Sequence, residues 1–166
     1  MRVQGQVYVR EAGVHDVPRV LALINELAAF ENLSPFVETD EVRLLEHGFG
    51  SHPQFKVLLA EVDGETVGFL SYMVRYSIWG GSEFINLDDL FVSEAARGRG
   101  VGRALMCRLA EIAVAQGMVV RWEVMTDNEP AKAFYTAIGA KLNEKMIARW
   151  PVDAARAFIE ASEGDA

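Results

Sequence analysis

Two neighbouring aspartates, Asp88 and Asp89, stand in the run LDDLFV, and a tyrosine, Tyr135, stands in NEPAKAFYTAIG. A carboxylate can take a proton from an ammonium group, and a phenol can return one to a departing anion. Between these residues lies the hexapeptide RGRGVG, residues 97–102. Glycines just before a helix serve a third purpose, because the first helical amides have no intrahelical acceptor and sit at the positive end of the dipole. An anion such as phosphate is favoured there. Gly98, Gly100 and Gly102 would let the backbone approach it closely. The hexapeptide is not a dinucleotide fingerprint, since Arg103 occupies the third glycine's place, nor a P-loop, since no lysine follows. A ligand-free strand-to-helix turn is the alternative reading.

These residues need elements to hold them. VYVREA alternates as a short strand, and HDVPRVLALINELAAF carries Val17, Val20, Leu21, Ile24, Leu27 and Ala28 at helical spacing. TDEVRLLEHGFG predicts a second helix, with Thr39 or Asp40 as its cap and Gly48 in the left-handed position after its end. FKVLLAEV, DGE and TVGFLSYMVRY form a hairpin pattern, and EFINLDDLFV adds a third strand after GGS. A long helix follows the glycine loop and stops near Gly117. MVVRWEVM reads as a strand and NEPAKAFYTAIG as a helix capped by Asn128, with Pro130 in its first turn and Gly139 as its stop. Phe134 and Ile138 are expected on its core side, leaving Tyr135 to point elsewhere. AKLNEKMIARW then predicts a last strand and VDAARAFIEA a last helix. The expected order, β-α-α-β-β-β-α-β-α-β-α, belongs to the α/β (α+β) class: a mixed sheet with helices on both faces, as one domain over residues 1–166. The glycine loop lies at the carboxyl end of a strand, where open α/β sheets bind ligands.

Composition narrows the partners. At 166 residues with 51% apolar and 24% charged, the chain is long and apolar enough to bury a core. A formal charge of −8 argues against nucleic acid, which calls for clustered cations, and favours a cationic small molecule. No apolar run is long enough to span a bilayer, and the first residues lack a signal peptide's apolar stretch, so a cytoplasmic place is expected. Cys107 is the one cysteine; it reads as an ordinary helix residue, and no metal site is expected.

RGRGVG also fits the pattern [Q/R]-x-x-G-x-[G/A] of the GNAT superfamily of acyl-CoA-dependent N-acetyltransferases. LLEHGFGSHPQF, LDDLFV and NEPAKAFYTAIGA resemble its diamine (spermidine/spermine) branch. With the order of elements, the resemblance covers roughly Val7 to Trp150 and implies the GNAT fold. It implies that the amides of Arg97, Gly98, Arg99, Gly100, Val101, Gly102 and Arg103 hold the pyrophosphate of acetyl-CoA. The arginine side chains either meet its 3′-phosphate or are solvated. Leu90, Phe91 and Val92 match the strand that runs along the pantetheine arm, with the Val92 amide toward the thioester carbonyl.

Asn128 matches a cofactor-contacting residue and Tyr135 the general acid; a half-buried core tyrosine is the alternative. Asp88 stands where the family has a Glu assigned as base, and Asp89, Glu31 and Trp79 match contacts to the cationic acceptor. Neighbouring strand positions point to opposite faces, so at least one of the two aspartates is expected to face the cleft. The alternative for the pair is a set of strand-end carboxylates in water or ion pairs. Ser77 departs from the branch, which has an acid two residues before the tryptophan. The resemblance implies an enzyme that moves an acetyl group to a primary amine of a small cationic acceptor, as a homodimer. A protein or peptide acceptor, or a non-catalytic acyl-CoA-binding module, are the alternatives.

Overall fold

The computed structural model describes residues 5–164; residues 1–4 and 165–166, and with them the two ends of the expected 1–166 domain, lie outside the described residues. The chain divides into two compact units, residues 1–123 and 124–166.

The first unit is built on a five-stranded sheet in the order β1-β2-β3-β4-β5: β1 (Val7–Glu11), β2 (Lys56–Val62), β3 (Glu65–Ser77), β4 (Ser82–Val92) and β5 (Val120–Arg121). The first four pair antiparallel and β5 joins β4 in parallel, so the sheet is mixed as expected. Asp63 and Gly64 connect β2 to β3 with φ values of 53° and 91°. A two-residue hairpin turn whose twist suits the strands requires positive φ at both positions, which is why Asp-Gly works there.

Strand alternation divides the core. Val57, Leu59, Phe69 and Phe91 face α1 (Val17–Phe30) and α2 (Glu41–Phe49), meeting Val17, Val20, Leu23 and Leu44. Leu23, outside the expected stripe, is fully buried with it. Leu58, Ala60 and Leu70 point to the other face, which α3 (Val101–Gln116) covers with the buried Leu105 and Leu109. Each such leucine contributes about 1.5–3 kcal/mol by leaving water.

Asp40 caps α2, its Oδ1 accepting the Arg43 amide at 2.8 Å. Gly48 is not the left-handed stop expected of it. It lies inside α2, where a Cβ would come within 2.6 Å of the Phe55 ring. The position is small because an aromatic packs on it.

β5 is shorter than expected, because β4 gives it ladder partners only at Ile85 and Asn86. In the second unit, α4 (Glu129–Ala137) starts at Asn128, whose Oδ1 accepts the Ala131 amide at 3.1 Å, and Gly139 stops it at φ 92°. α5 (Val152–Gly164) follows. The strand expected over residues 140–150 is not formed. Alternation supplies only half of a strand. Here Met146 and Ile147 stay exposed, so neither a ladder nor burial offsets the cost of ordering the backbone.

Candidate active site

β4 is paired along its inner edge with β3 from Ser82 to Val92, but with β5 only at Ile85 and Asn86. Among the described residues, the ladder gives the outer edge of β4 no partner strand from Leu87 to Val92. The Ser93 amide donates to the Val67 carbonyl at 2.8 Å. Since N–H directions alternate along an antiparallel strand, the Val92 amide points off the open edge. Arg97 occupies the carbonyl beside it: Nε donates to the Val92 oxygen at 3.1 Å. The guanidinium lies 4.2 Å above the Phe30 ring and 5.8 Å from that of Phe91. Arg97 thus braces the strand's end, a role its place in RGRGVG does not announce.

The glycine loop follows. Gly98 and Gly100 have φ of 74° and 78°, and Gly100 is the residue before α3. The Ala104 amide is the first to reach back, to the Gly100 carbonyl at 3.0 Å. The amides of Val101, Gly102 and Arg103 therefore precede the helical ladder, and no side chain caps them. Val101 buries its side chain and offers the loop only its backbone. Arg99 pairs with Asp63 at 3.3 Å; with both side chains about half exposed, water screens the pair and it adds little to stability. The Gly5 amide, and then Arg99, hold the Asp63 carboxyl below its ordinary range.

This backbone supports a first prediction. A Cβ at Gly100 would meet no atom within 4 Å, so Gly100→Ala introduces backbone strain without a clash. About 1–2 kcal/mol of left-handed strain should weaken acetyl-CoA binding roughly tenfold by calorimetry, and Gly100→Asn should weaken it less because Asn tolerates that region. Equal affinities for all three chains would remove the left-handed turn as the reason for the glycine.

A β-bulge shapes the acidic part of the site. Ser71 opposes Asp89 and Tyr72 opposes Leu87, which leaves Asp88 as the extra residue in β4. Simple alternation would put Leu87, Asp89 and Phe91 on one face. Instead Leu87, opposite Tyr72, faces α3, while Asp89 and Phe91 face α1. The regular alternation expected through Asp88 and Asp89 is interrupted by the bulge: Asp88 is exposed there and Asp89 is half-buried. The Ser71 hydroxyl donates to Asp89 Oδ2 at 3.0 Å and accepts the Asp89 amide at 3.1 Å. Burial pushes the Asp89 carboxyl above its ordinary range; Asp88 and Glu31 push it the same way, and Ser71 opposes them. Glu31 is thus close enough to act on Asp89.

α1 is held over this end of the sheet by polar ties. Ser93 Oγ donates to Glu26 Oε2 at 2.5 Å, and Arg19 bridges Glu26 Oε1 at 2.9 Å to the Thr66 carbonyl at 2.7 Å. They set the height of Phe30 and Glu31 at the end of α1. Trp79 is not brought to the carboxylates. It is fully exposed at the β3–β4 connection, and Ser82 to Asp88 spans about 20 Å of strand.

In the second unit, Asn128 spends its side-chain oxygen on capping α4. Tyr135 is the buried residue of that helix, with Phe134 and Ile138 only partly so, which reverses the expected facing. The Phe134 ring lies 5.4 Å from it, and burial pushes the Tyr135 hydroxyl above its ordinary value. Cys107 is exposed on α3. Among the described residues no group of three or more His, Cys, Asp or Glu is arranged to hold a metal, and no helix is long and apolar enough to cross a membrane.

Three residues with parts in this site carried weak sequence signals: Ser71, Asp63 and Phe30. Ser71 had the clearest, a small polar residue in the apolar strand VGFLSYMV, where an inward hydroxyl calls for a partner.

An open strand edge running into a glycine-lined helix start defines a class that binds a cofactor along one strand. Residues 21–140 match the acetyltransferase (GNAT) family, and the chain belongs to it. It is an acyl-CoA-dependent N-acetyltransferase. It is 37% identical over 144 residues to a thialysine N-epsilon-acetyltransferase of Bos taurus, covering 81% of this chain and 84% of that one. It is 36% identical over 140 residues to spermidine/spermine N(1)-acetyltransferase-like protein 1 of Homo sapiens, covering 80% of this chain but 20% of that protein, so the chain spans about a fifth of that relative's length. Among solved structures, an integron cassette protein from the mobile metagenome of V. cholerae superposes with a TM-score of 0.75 at 26% identity, covering 93% of this chain and 98% of that one.

Proposed function

We propose that the enzyme transfers the acetyl group of acetyl-CoA directly to a primary amine of a small cationic acceptor, a diamine, polyamine or lysine-like molecule, within a ternary complex. The observation that carries this reading is the open edge of β4. It ends on three uncapped helix amides at one side and passes Asp88 and Asp89 at the other. The donor set suits the co-substrate. The Arg97 amide donates to the Glu94 carbonyl, so the amides of residues 98–103 offer the anion site, and the Leu90–Val92 edge offers peptide groups to an amide-containing arm. Bound there, acetyl-CoA supplies a thioester carbonyl. Asn128 completes the set of residues that hold it.

Asp88, exposed at the bulge, takes the proton from the acceptor ammonium, directly or through a water. A free alkyl ammonium has a pKa near ~10, so this step matters at neutral pH. The Val92 amide steadies charge developing on the carbonyl oxygen. Tyr135 gives its proton to the departing thiolate. Asp89 and Glu31 bind the acceptor's positive charge. The names of the relatives, a thialysine N-epsilon-acetyltransferase and a spermidine/spermine N(1)-acetyltransferase-like protein, support a small cation of this kind.

The working form in this reading is a homodimer in the cytoplasm, where acetyl-CoA is made and used. A second chain gives Trp79 a way to reach an acceptor, since in its own chain it stands far along the strand, fully exposed beside Ile78. One single-domain acetyltransferase over residues 1–166 contains all of these roles. The test is thiol release from acetyl-CoA against diamines, polyamines, thialysine, aminoglycosides and peptides. Turnover on small diamines or thialysine is expected. Activity on peptides alone would sink the acceptor class, and CoA binding without release on any amine would leave a binding module.

A further inference from the structure

Ser71 lies on the α1 face of β3, opposite Asp89 and one position before the point where the β3–β4 register shifts. Its hydroxyl makes two bonds to one residue. It accepts the Asp89 amide N–H at 3.1 Å, so its single hydrogen is directed at Asp89 Oδ2, 3.0 Å away. The hydroxyl supplies the amide beside the bulge with an acceptor and, by the same contact, fixes which carboxylate oxygen is occupied. Oδ1 is left for another donor.

We propose that Ser71 is a positioning residue that locks the Asp89 carboxylate at the bulge, presents Oδ1 to the acceptor's ammonium and sets the pH above which that ammonium is held. This rests on the reading of Asp89 as an acceptor-binding carboxylate. The groups that face Asp89 are Asp88 on β4 itself, Glu31 at the end of α1, and Ser71 on β3. The first two are carboxylates and, with burial, favour the protonated form; Ser71 alone of the three favours the ionised one. A bulge leaves a carboxylate crowded by its own kind, and one hydroxyl favours its charged form.

The experiment uses the full chain. A carbon-detected NMR titration of the Asp89 carboxyl compares the wild type with Ser71→Ala and Ser71→Thr. Steady-state kinetics follow with spermidine and thialysine as probe amines. Removing a hydrogen bond to the charged form raises the midpoint, so Ser71→Ala should move the Asp89 titration upward by about one pH unit. The acid limb of kcat/KM should move with it. At a pH near that midpoint the amine KM should rise about three- to tenfold, with kcat within about twofold. Ser71→Thr, which keeps the hydroxyl on a β-branched residue suited to a strand, should restore the wild-type values. An Asp89 midpoint unmoved in Ser71→Ala overturns the proposal outright. If that midpoint moves but Asp89→Asn leaves the amine KM unchanged, the reading of Asp89 itself falls, and the binding role of Ser71 falls with it.

Discussion

Replacing Tyr135 by phenylalanine is expected to lower turnover by roughly 10²- to 10⁴-fold while leaving acetyl-CoA affinity unchanged. The substitution removes one oxygen and keeps the ring, its burial in α4 and its contact with Phe134 at 5.4 Å. Stability and cofactor binding therefore have little reason to move. The proton does. Burial disfavours the phenolate and raises the Tyr135 pKa, so the hydroxyl is protonated across neutral pH and into the alkaline range. The sign matters for the rate profile: an acid with a raised pKa is lost only on the far alkaline side, so its own limb lies above the ordinary tyrosine value. In Tyr135→Phe that limb should disappear along with the turnover. Kinetics across pH, with calorimetry for acetyl-CoA, check both halves. Unchanged turnover would remove Tyr135 as the acid.

Phe69→Ala should cost about 3–5 kcal/mol of folding stability, the usual range for deleting a buried aromatic ring. Phe69 is 1% exposed, stands between Leu59 and Phe91 in the sheet, and packs with Val17, Val20 and Leu23 beneath α1. Its ring centre is 6.4 Å from that of Phe91. The cavity would open under the part of β4 that carries Asp89 and Val92, so activity should fall further than the loss of folded protein explains. Urea unfolding measures the first effect, and activity per folded molecule the second. A loss below about 1 kcal/mol would mean that the two helices close over the gap.

The residues that were legible in advance are those whose signal is local. Asp63-Gly64 announced its hairpin because the turn demands positive φ, and Asn128, Pro130 and Gly139 bracketed α4 because helix ends need caps and stops. RGRGVG could be placed at a helix start for the same reason. What stayed hidden depended on a partner far along the chain. Two adjacent aspartates do not say which of them is the extra residue of a bulge; that is decided by Ser71 and Tyr72 across the ladder. Gly48 looked like a helix stop because the ring of Phe55, which requires it to be small, arrives only on folding. Tyr135 and Phe134 are both aromatic, and helical spacing alone could not choose which would be buried. The segment 140–150 alternates like a strand, yet no ladder takes it up.

The extra residue in β4 behaves like a change of reading frame within one strand. Ahead of Asp88, odd-numbered positions belong to the α3 layer; past it, the same parity belongs to the α1 layer. Composition at position 88 is therefore almost free as far as the fold is concerned, since the side chain is exposed and stands outside the ladder. Take that one residue out and Leu87, Asp89, Leu90 and Phe91 would pair in turn with Tyr72, Ser71, Leu70 and Phe69, every side chain keeping its present layer. The bulge thus adds an exposed carboxylate to the strand without altering what either layer receives.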